Sequence, residues 1–416
     1  MSGSRFARLL LAPAAIIAMA ALVRLALAIV MGDRFYFADT AEYEATAIRI
    51  LRGLGPGESS PRAPLFPGFL AVAFAIGGEE NRFVARLLQL ALGTGLVALT
   101  GRLAGILGGP LAVRPALLAA AFSPLLVFSS CMLYPTTIYS LLLSGTAMTA
   151  LALIARPTLA LGAVLGVLIP LGWLTDPVFL APAGTLVLVL ACTLPKHGRK
   201  LAASLAVALL VMTAIIVPYR QATTPAGGQG GAFMQKAQYV LDWSRSDPKM
   251  AGSRHVRVPD TDTFVPLSAT EFLAREWGLI TTQPTAYAAD VTREFIHFFN
   301  PLPDRVQTQN KFNQPMTLWA GALHFAPILL LAILGLLFGA GALQSRWVLA
   351  SVVLSTAGFY SLFFSQARYR IPVEPMIIVL AALAIVRLMP RVAAHLAASD
   401  ASEPASAPPP NGPRRT

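Results

Sequence analysis

Residues Pro115–Ala155 read PALLAAAFSPLLVFSSCMLYPTTIYSLLLSGTAMTALALIA, a long run without one charged side chain. A helix needs about 20 apolar residues to cross the roughly 30 Å of hydrocarbon in a bilayer, so this run is long enough to cross twice. Within lipid, backbone amides must be hydrogen-bonded inside their own segment, which favours helices. The run therefore predicts two transmembrane helices with a turn between them.

The rest of the chain has the same character. Hydrophobic residues make up 56% of the sequence and charged residues 12%, against about a quarter charged residues in soluble domains. Turn signals such as Gly108-Gly109-Pro110 and Asp176-Pro177 separate the apolar runs. We expect an all-α polytopic membrane protein with about ten spans, at 8–31 (an uncleaved first span), 84–107, 113–133, 135–155, 158–175, 177–194, 201–219, 316–340, 346–365 and 371–389.

The distribution of charge predicts the orientation in the membrane. The net charge of +12 comes from short basic clusters between apolar runs, and no basic face with interleaved aromatics indicates a nucleic-acid partner. With the N-terminus inside, the acids Asp400 and Glu403 are the two of the 20 that fall on the cytoplasmic side. Positive charge favours that side, so we expect cytoplasmic N- and C-termini in a bacterial inner membrane.

Two large regions are expected outside. In the first, Thr40–Leu54 predicts an interfacial helix, and Ala63–Gly78 is too short to span and is interpreted as re-entrant. The second, between spans 7 and 8, predicts helices near 269–280 and 284–299, the latter with Tyr287, Val291, Phe295 and Phe298 on one face. The predicted domains are an N-terminal transmembrane catalytic module at 1–220 that includes the first outer loop 32–83, a periplasmic loop region at 221–315, C-terminal transmembrane helices at 316–390, and a disordered cytoplasmic tail at 391–416.

Polar residues that can carry chemistry gather on the outer side. The first outer region holds Asp33-Arg34-Phe35-Tyr36-Phe37-Ala38-Asp39-Thr40-Ala41-Glu42-Tyr43, followed by Arg62-Ala63-Pro64-Leu65-Phe66-Pro67. A second cluster, Gln366-Ala367-Arg368-Tyr369-Arg370-Ile371-Pro372, precedes the last span. Both clusters lie at the outer ends of predicted spans, where an enzyme at the membrane surface would meet its substrates.

These motifs, with Asn81-Arg82-Phe83-Val84-Ala85-Arg86-Leu87-Leu88-Gln89, resemble those of the GT-C membrane glycosyltransferases, over residues 1–390. The pattern is similar to that of bacterial transferases related to protein O-mannosyltransferases and the lipid A aminoarabinose transferase. The resemblance implies an inverting transferase that takes a sugar from a polyprenyl-phosphate donor at the periplasmic face. The acceptor would be a lipid, a glycan or a protein.

The resemblance makes Asp39 the catalytic carboxylate. A phosphate leaves as a stable anion without an acid, whereas an attacking hydroxyl needs a base, so one carboxylate can suffice. The alternative is structural, because Asp39-Thr40-Ala41-Glu42 also fits an N-cap with its capping-box partner. Asp33 and Glu42 are the reserve acids.

The same comparison implies a set of substrate-binding residues. Arg368 and Arg370 are the expected phosphate ligands, since a guanidinium presents several donors to phosphate oxygens. Both could instead extend to the membrane interface without a ligand. Arg62, Tyr43 and Tyr369 complete the predicted binding residues, with Arg62 meeting either the donor phosphate or the acceptor.

A metal requirement has weak support. Relatives often carry an acid between spans 3 and 4, but this chain reads Met132-Leu133-Tyr134-Pro135-Thr136-Thr137 there, and no cofactor is firmly predicted. Asp176, before Pro177, is interpreted mainly as a turn residue. Two other functions remain open: a lipid or glycan transporter or flippase, and a non-catalytic protein of the same fold.

Overall fold

A computed structural model describes residues 12–32, 34, 39–55, 63–223, 238, 241–242, 256, 267–302 and 315–390. In this part of the chain all regular elements are helices, which confirms the all-α membrane fold. The helices are α1 (Pro13–Met31), α2 (Asp39–Leu51), α3 (Leu65–Gly77), α4 (Arg82–Gly108), α5 (Pro110–Phe122), α6 (Pro124–Cys131), α7 (Thr136–Ala155), α8 (Leu159–Thr175), α9 (Leu180–Thr223, kinked at Gly198), α10 (Ala269–Thr282), α11 (Pro284–Phe298), α12 (Pro315–Phe338), α13 (Leu343–Phe363), the single turn α14 (Ala367–Arg370) and α15 (Glu374–Leu388).

The helices that can cross a membrane correspond to the predicted spans, with two differences. Eight helical segments in the described residues are long and apolar enough to cross. The predicted third span is a bent pair, since α5 and α6 meet at 57° around Ser123, and the predicted fifth span, α8, has 17 residues and contains Pro170. The count of ten spans therefore stays a prediction. Helix α3 has 13 residues, as its interpretation as a non-spanning segment requires.

The last helix is the centre of the bundle. The first eleven of the fifteen residues of α15 are all buried, and α15 packs against α4, α5, α12 and α13. At Gly335 in α12 the two backbones are so close that a Cβ would overlap the carbonyl of Leu380. Small residues permit this close approach of helices, which in lipid depend on packing for their association.

Replacing Gly335 with alanine is therefore expected to destabilise the bundle. The added methyl group meets the backbone of Leu380, which cannot move without displacing α15. Overpacking of this kind costs about 1–3 kcal/mol, and it should lower the midpoint of unfolding in detergent. Gly95→Ala is the matched control, because nothing lies within 4 Å of the position its Cβ would take. Equal midpoints for the two variants would contradict the close approach of α12 and α15.

A buried arginine occupies the break between α5 and α6. Arg24 of α1 is 0% exposed and donates hydrogen bonds to the carbonyls of Ala120 (3.3 Å) and Ala121 (3.1 Å) and to Ser130 Oγ (3.2 Å). The last carbonyls of a helix have no partner within it, and cations stabilise that end. Arg24 therefore faces the protein interior, where it holds the broken helix.

The two expected outer helices are present as α10 and α11. Helix α10 begins with a capping box in which Ser268 and Glu271 bond each other's backbone amides. On α11 the predicted apolar face is partly wrong, because the buried positions are Asp290, Glu294 and Phe298. Glu294 accepts a hydrogen bond from the amide of Ser365 (2.8 Å), so its burial is compensated by a link to the start of the last transmembrane region.

Candidate active site

The two predicted polar clusters meet at one place, called the recess below and defined by Asp39, Tyr134, Arg368 and Tyr369. Asp39 Oδ2 accepts a hydrogen bond from the Tyr134 hydroxyl at 3.3 Å. The guanidinium carbon of Arg368 lies 5.8 Å from the centre of the Tyr134 ring and 5.2 Å from that of Tyr369. Asp39 and Arg368, which are far apart in sequence, therefore lie at the same end of the helices with one aromatic ring between them.

The N-terminal end of α4 positions this arrangement. Arg82 forms a two-pronged ion pair with Glu44 of α2, with both N–O distances 2.7 Å. Arg86 donates to the carbonyls of Arg34 (2.7 Å) and Cys131 (3.1 Å), and Gln89 donates to that of Tyr134 (3.0 Å). The motif from Asn81 to Gln89 thus attaches both the helix that carries Asp39 and the turn that carries Tyr134.

The protonation of Tyr134 suits its place beside a carboxylate. Burial raises the pKa of the Tyr134 hydroxyl well above its ordinary value, and the neighbouring charge of Arg368 opposes this without reversing it. The phenol is therefore neutral and donates a hydrogen bond to Asp39. Helix α2 begins at Asp39 in the described residues, so the carboxylate belongs to the first turn.

The residues around Arg368 line an internal space. Tyr134, Tyr360 and Arg368 are surrounded by protein on nearly all sides, yet each keeps part of its surface accessible. The Tyr360 and Tyr369 rings are parallel, with centres 4.3 Å apart. Arg368 therefore lies half-buried in a site walled by aromatic rings.

Three further residues extend the recess, and the sequence interpretation assigned none of them to it. Tyr139 packs edge-on against Phe179, with ring centres 5.2 Å apart. Asp176, three residues before Phe179, acts electrostatically on the hydroxyl groups of Tyr139 and Tyr360. Asp176 also forms the predicted turn, since Oδ1 accepts from the amide of Val178 at 3.0 Å. A cluster of tyrosines at the outer ends of predicted spans is the sequence signal that could have found them.

Arg370 points to a different place. It is 0% exposed, and it donates to the carbonyls of Phe298 (3.3 Å) and Asn300 (2.6 Å) at the end of α11. Its guanidinium also lies over the ring of Phe325, 3.5 Å from the centre. The structure thus brings Arg368 into the recess and directs Arg370 to the end of α11, which it links to the last transmembrane region.

Of the other predicted site residues, one is buried, one is exposed at the surface, and two lie outside the described residues. Tyr43 is buried beside the recess, edge-on to both Tyr134 and Phe66 at 5.6 and 5.2 Å. The reserve acid Glu42 is exposed. Arg62 and Asp33 lie outside the described residues, and so does the predicted tail at 391–416. Among the residues that the structure describes, no three His, Cys, Asp or Glu side chains converge as metal ligands.

A large apolar cavity lies on the other side of the aromatic wall. Its volume is about 990 Å³, and α11, α12, α13 and α15 enclose it. Tyr360 of the recess stacks on Phe298 at 6.4 Å, and Phe298 contacts Phe299, which lines the cavity. The lining is mostly aliphatic and aromatic, with the polar groups Arg293, Glu294, His297, Asn300 and Gln366. A chamber of this composition suits a long hydrocarbon chain.

Solved structures of two membrane proteins have a similar fold. The archaeal oligosaccharyltransferase AglB from Archaeoglobus fulgidus, in complex with an inhibitory peptide and a dolichol-phosphate, matches with a TM-score of 0.59 at 14% identity, over 94% of this chain and 52% of AglB. ArnT from Cupriavidus metallidurans in the apo state matches with a TM-score of 0.55 at 16% identity, over 92% of this chain and 60% of ArnT. ArnT bound to undecaprenyl phosphate gives the same score.

The comparisons establish the architecture. The chain has the membrane fold of AglB and ArnT over more than nine tenths of its length, which is the fold that its resemblance to the GT-C glycosyltransferases led us to expect. It spans less than two thirds of the length of the solved structures that it matches. No protein-family model and no curated protein matches it in sequence.

Proposed function

We propose that this chain of GT-C fold is an inverting glycosyltransferase that moves a sugar from a polyprenyl-phosphate donor to an acceptor hydroxyl. The observation that carries the proposal is the recess in which Asp39, hydrogen-bonded to Tyr134, lies near Arg368. This reaction needs a carboxylate and a cation in one site. The carboxylate accepts the proton of the attacking hydroxyl, and the cation stabilises the phosphate anion that leaves.

The proposed reaction has one chemical step. The acceptor hydroxyl attacks the anomeric carbon of the donor sugar as Asp39 takes its proton, and the bond between that carbon and the phosphate oxygen breaks. The electron pair of this bond leaves with the phosphate, so the products are the inverted glycoside and polyprenyl phosphate. Arg368 stabilises the charge that develops on the phosphate, and in an enclosed site this effect is large.

The neutral Tyr134 hydroxyl has a positioning role. It donates to Asp39 Oδ2 and so fixes the carboxylate without protonating it. A base that is already fixed within reach of the attacking hydroxyl lowers the entropic part of the activation free energy, because the two groups do not have to be brought together during the reaction. The predicted capping role is compatible with catalysis if a single carboxylate oxygen faces the acceptor.

The apolar cavity supports a lipid donor. Its volume of about 990 Å³ and its aliphatic lining give a hydrocarbon chain a place beside the recess. The lipid would enter from the bilayer between the C-terminal helices, with its phosphate directed past Tyr360 and Tyr369 toward Arg368. AglB in complex with a dolichol-phosphate and ArnT bound to undecaprenyl phosphate are solved structures of this fold with such lipids.

The location follows from the distribution of charge. With basic connections on the cytoplasmic side, the recess belongs to the periplasmic face of a bacterial inner membrane. The acceptor would be a lipid, a glycan or a protein that reaches this face.

A direct assay tests the proposal. Full-length protein in lipid nanodiscs, incubated with mannosyl- or glucosyl-decaprenyl phosphate and a cell-envelope extract as acceptor, should release decaprenyl phosphate at a rate above that of empty nanodiscs, detected by mass spectrometry. Movement of the intact donor across vesicles without release of decaprenyl phosphate would favour a flippase. Donor binding with neither outcome would indicate a non-catalytic protein of this fold.

A further inference from the structure

A second carboxylate, that of Asp176, lies near the tyrosines of the recess. Asp176 lies where α8 ends, and Oδ1 caps the short helix Pro177–Phe179 through the amide of Val178. The side chain of Asp176 is partly accessible. An asparagine or a serine would form the same turn, so the turn alone does not require a charge at this position.

Phe179 connects the turn of Asp176 to the tyrosines. Phe179 is 0% exposed and holds Tyr139 edge-on at 5.2 Å, and Gly172 leaves room for the Phe179 ring, which a Cβ there would overlap. Tyr360 approaches from α13 and stacks on Tyr369 at 4.3 Å. Phe179 thus joins the turn of Asp176 to Tyr139, and Tyr369 joins Tyr360 to Arg368, while the charge of Asp176 acts on both tyrosine hydroxyls.

One hydroxyl of this group has no hydrogen bond. Tyr139 is 3% exposed, and its Oη has no hydrogen-bond partner among the described residues. An unsatisfied buried hydroxyl is costly, and such groups in native proteins usually have a partner that is bound in the functional state. A ligand rich in hydroxyl groups would supply that partner once the side chains that cover the Tyr139 hydroxyl move aside, and it would also donate to the carboxylate of Asp176.

We propose that Asp176, Tyr139 and Tyr360 bind the ring hydroxyl groups of the donor sugar. This inference rests on the proposed function, because it assigns the sugar of the donor to the part of the recess beyond Arg368. The carboxylate accepts hydrogen bonds from ring hydroxyls, and the tyrosine hydroxyls donate or accept. The Tyr360 ring offers an apolar face to the C–H groups of the ring. Asp39 is then the base that accepts the proton of the acceptor hydroxyl, and Asp176 binds the donor sugar.

A binding experiment tests this without depending on turnover. Full-length protein carrying Asp39→Asn, to prevent reaction, is placed in nanodiscs, and dissociation constants are measured for decaprenyl phosphate and for its mannosyl and glucosyl derivatives. We expect at least one sugar-bearing lipid to bind more tightly than the bare lipid. Adding Asp176→Asn should reduce this preference about tenfold to a hundredfold, the range for a hydrogen bond to a charged group, while binding of bare decaprenyl phosphate stays unchanged.

Controls separate ligand binding from folding. Asparagine caps a helix as well as aspartate, so Asp176→Asn should unfold at the same temperature as its parent. Tyr139→Phe removes the hydroxyl, keeps the ring contact with Phe179, and should also lower the preference for the sugar. Glu271→Gln, on the exposed α10, is the matched acid-to-amide control and should leave the preference for the sugar unchanged.

Two results would overturn the subsite. One is an unchanged preference for sugar-bearing lipid in Asp176→Asn, and the other is the lack of any such preference in the parent. If instead the preference behaves as expected but the wild-type protein releases no decaprenyl phosphate with any acceptor, the proposed transferase activity is wrong and the sugar subsite stands.

Discussion

Replacing Asp39 with asparagine is expected to lower the rate of sugar transfer by about 100- to 10,000-fold, the usual contribution of a positioned general base. The amide cannot take a proton from the acceptor hydroxyl at neutral pH. It does keep an oxygen that can accept the hydrogen bond from Tyr134, so the recess should retain its geometry. The loss should therefore appear in kcat, measured as decaprenyl phosphate released under saturating donor, with little change in the affinity for the donor.

The reserve acid on the same helix provides a matched control. Glu42 lies three residues further along α2 and is exposed, so Glu42→Gln removes a carboxylate from α2 without touching Tyr134. This variant should retain transfer close to the wild-type rate. Wild-type activity in Asp39→Asn would exclude Asp39 as the base, and a large loss in Glu42→Gln would instead assign that role to Glu42.

Replacing Arg368 with methionine should have the second largest effect. Methionine keeps part of the packing against Tyr134 and Tyr369 but removes the charge that is proposed to stabilise the leaving phosphate. Removal of one such donor from an enclosed site typically costs about 100- to 1,000-fold in rate. We expect this loss in kcat/KM for the donor, together with weaker binding of decaprenyl phosphate itself.

Arg370→Met is the control for Arg368→Met, because it removes the same charge from a neighbouring position. Arg370 is two residues away and carries the same charge, but it holds the carbonyls of Phe298 and Asn300. Its removal should lower stability and speed hydrogen exchange at the end of α11, with a smaller effect on phosphate binding than Arg368→Met. If the two variants lost phosphate binding equally, the assignment of the phosphate to Arg368 alone would be wrong.

The sequence predicted the same phosphate-binding role for both arginines, but it could not predict which of them faces the recess. Both lie in a polar cluster before the last span, and composition gives them equal claims to a phosphate. Residues two apart on a helical turn point about 200° away from each other, so they cannot face the same site. Which one faces the recess depends on α7 and α11, and these are distant in sequence from Arg368 and Arg370.

The length of the apolar runs predicted most of the fold, because helices in lipid must satisfy their own amides and are therefore long and continuous. The break at Ser123 escaped notice, since the run through it has no charge and Pro124 is compatible with the first turn of a helix. Asp176 was underestimated for a related reason. Its turn is visible in the sequence, whereas its neighbours Tyr139 and Tyr360 come from helices that only the tertiary fold brings to it.

The bonds of Arg24 have a consequence for how the protein is made. Its carbonyl partners at Ala120 and Ala121 emerge from the ribosome long after Arg24 itself. Until then the carbonyl of Ala20, in the same helix, is the one backbone partner from this set that Arg24 has. An arginine at the middle of a bilayer costs about 2.5–3.5 kcal/mol on translocon-derived scales. We therefore expect the first helix to be held more firmly in the membrane after α5 has been inserted than before.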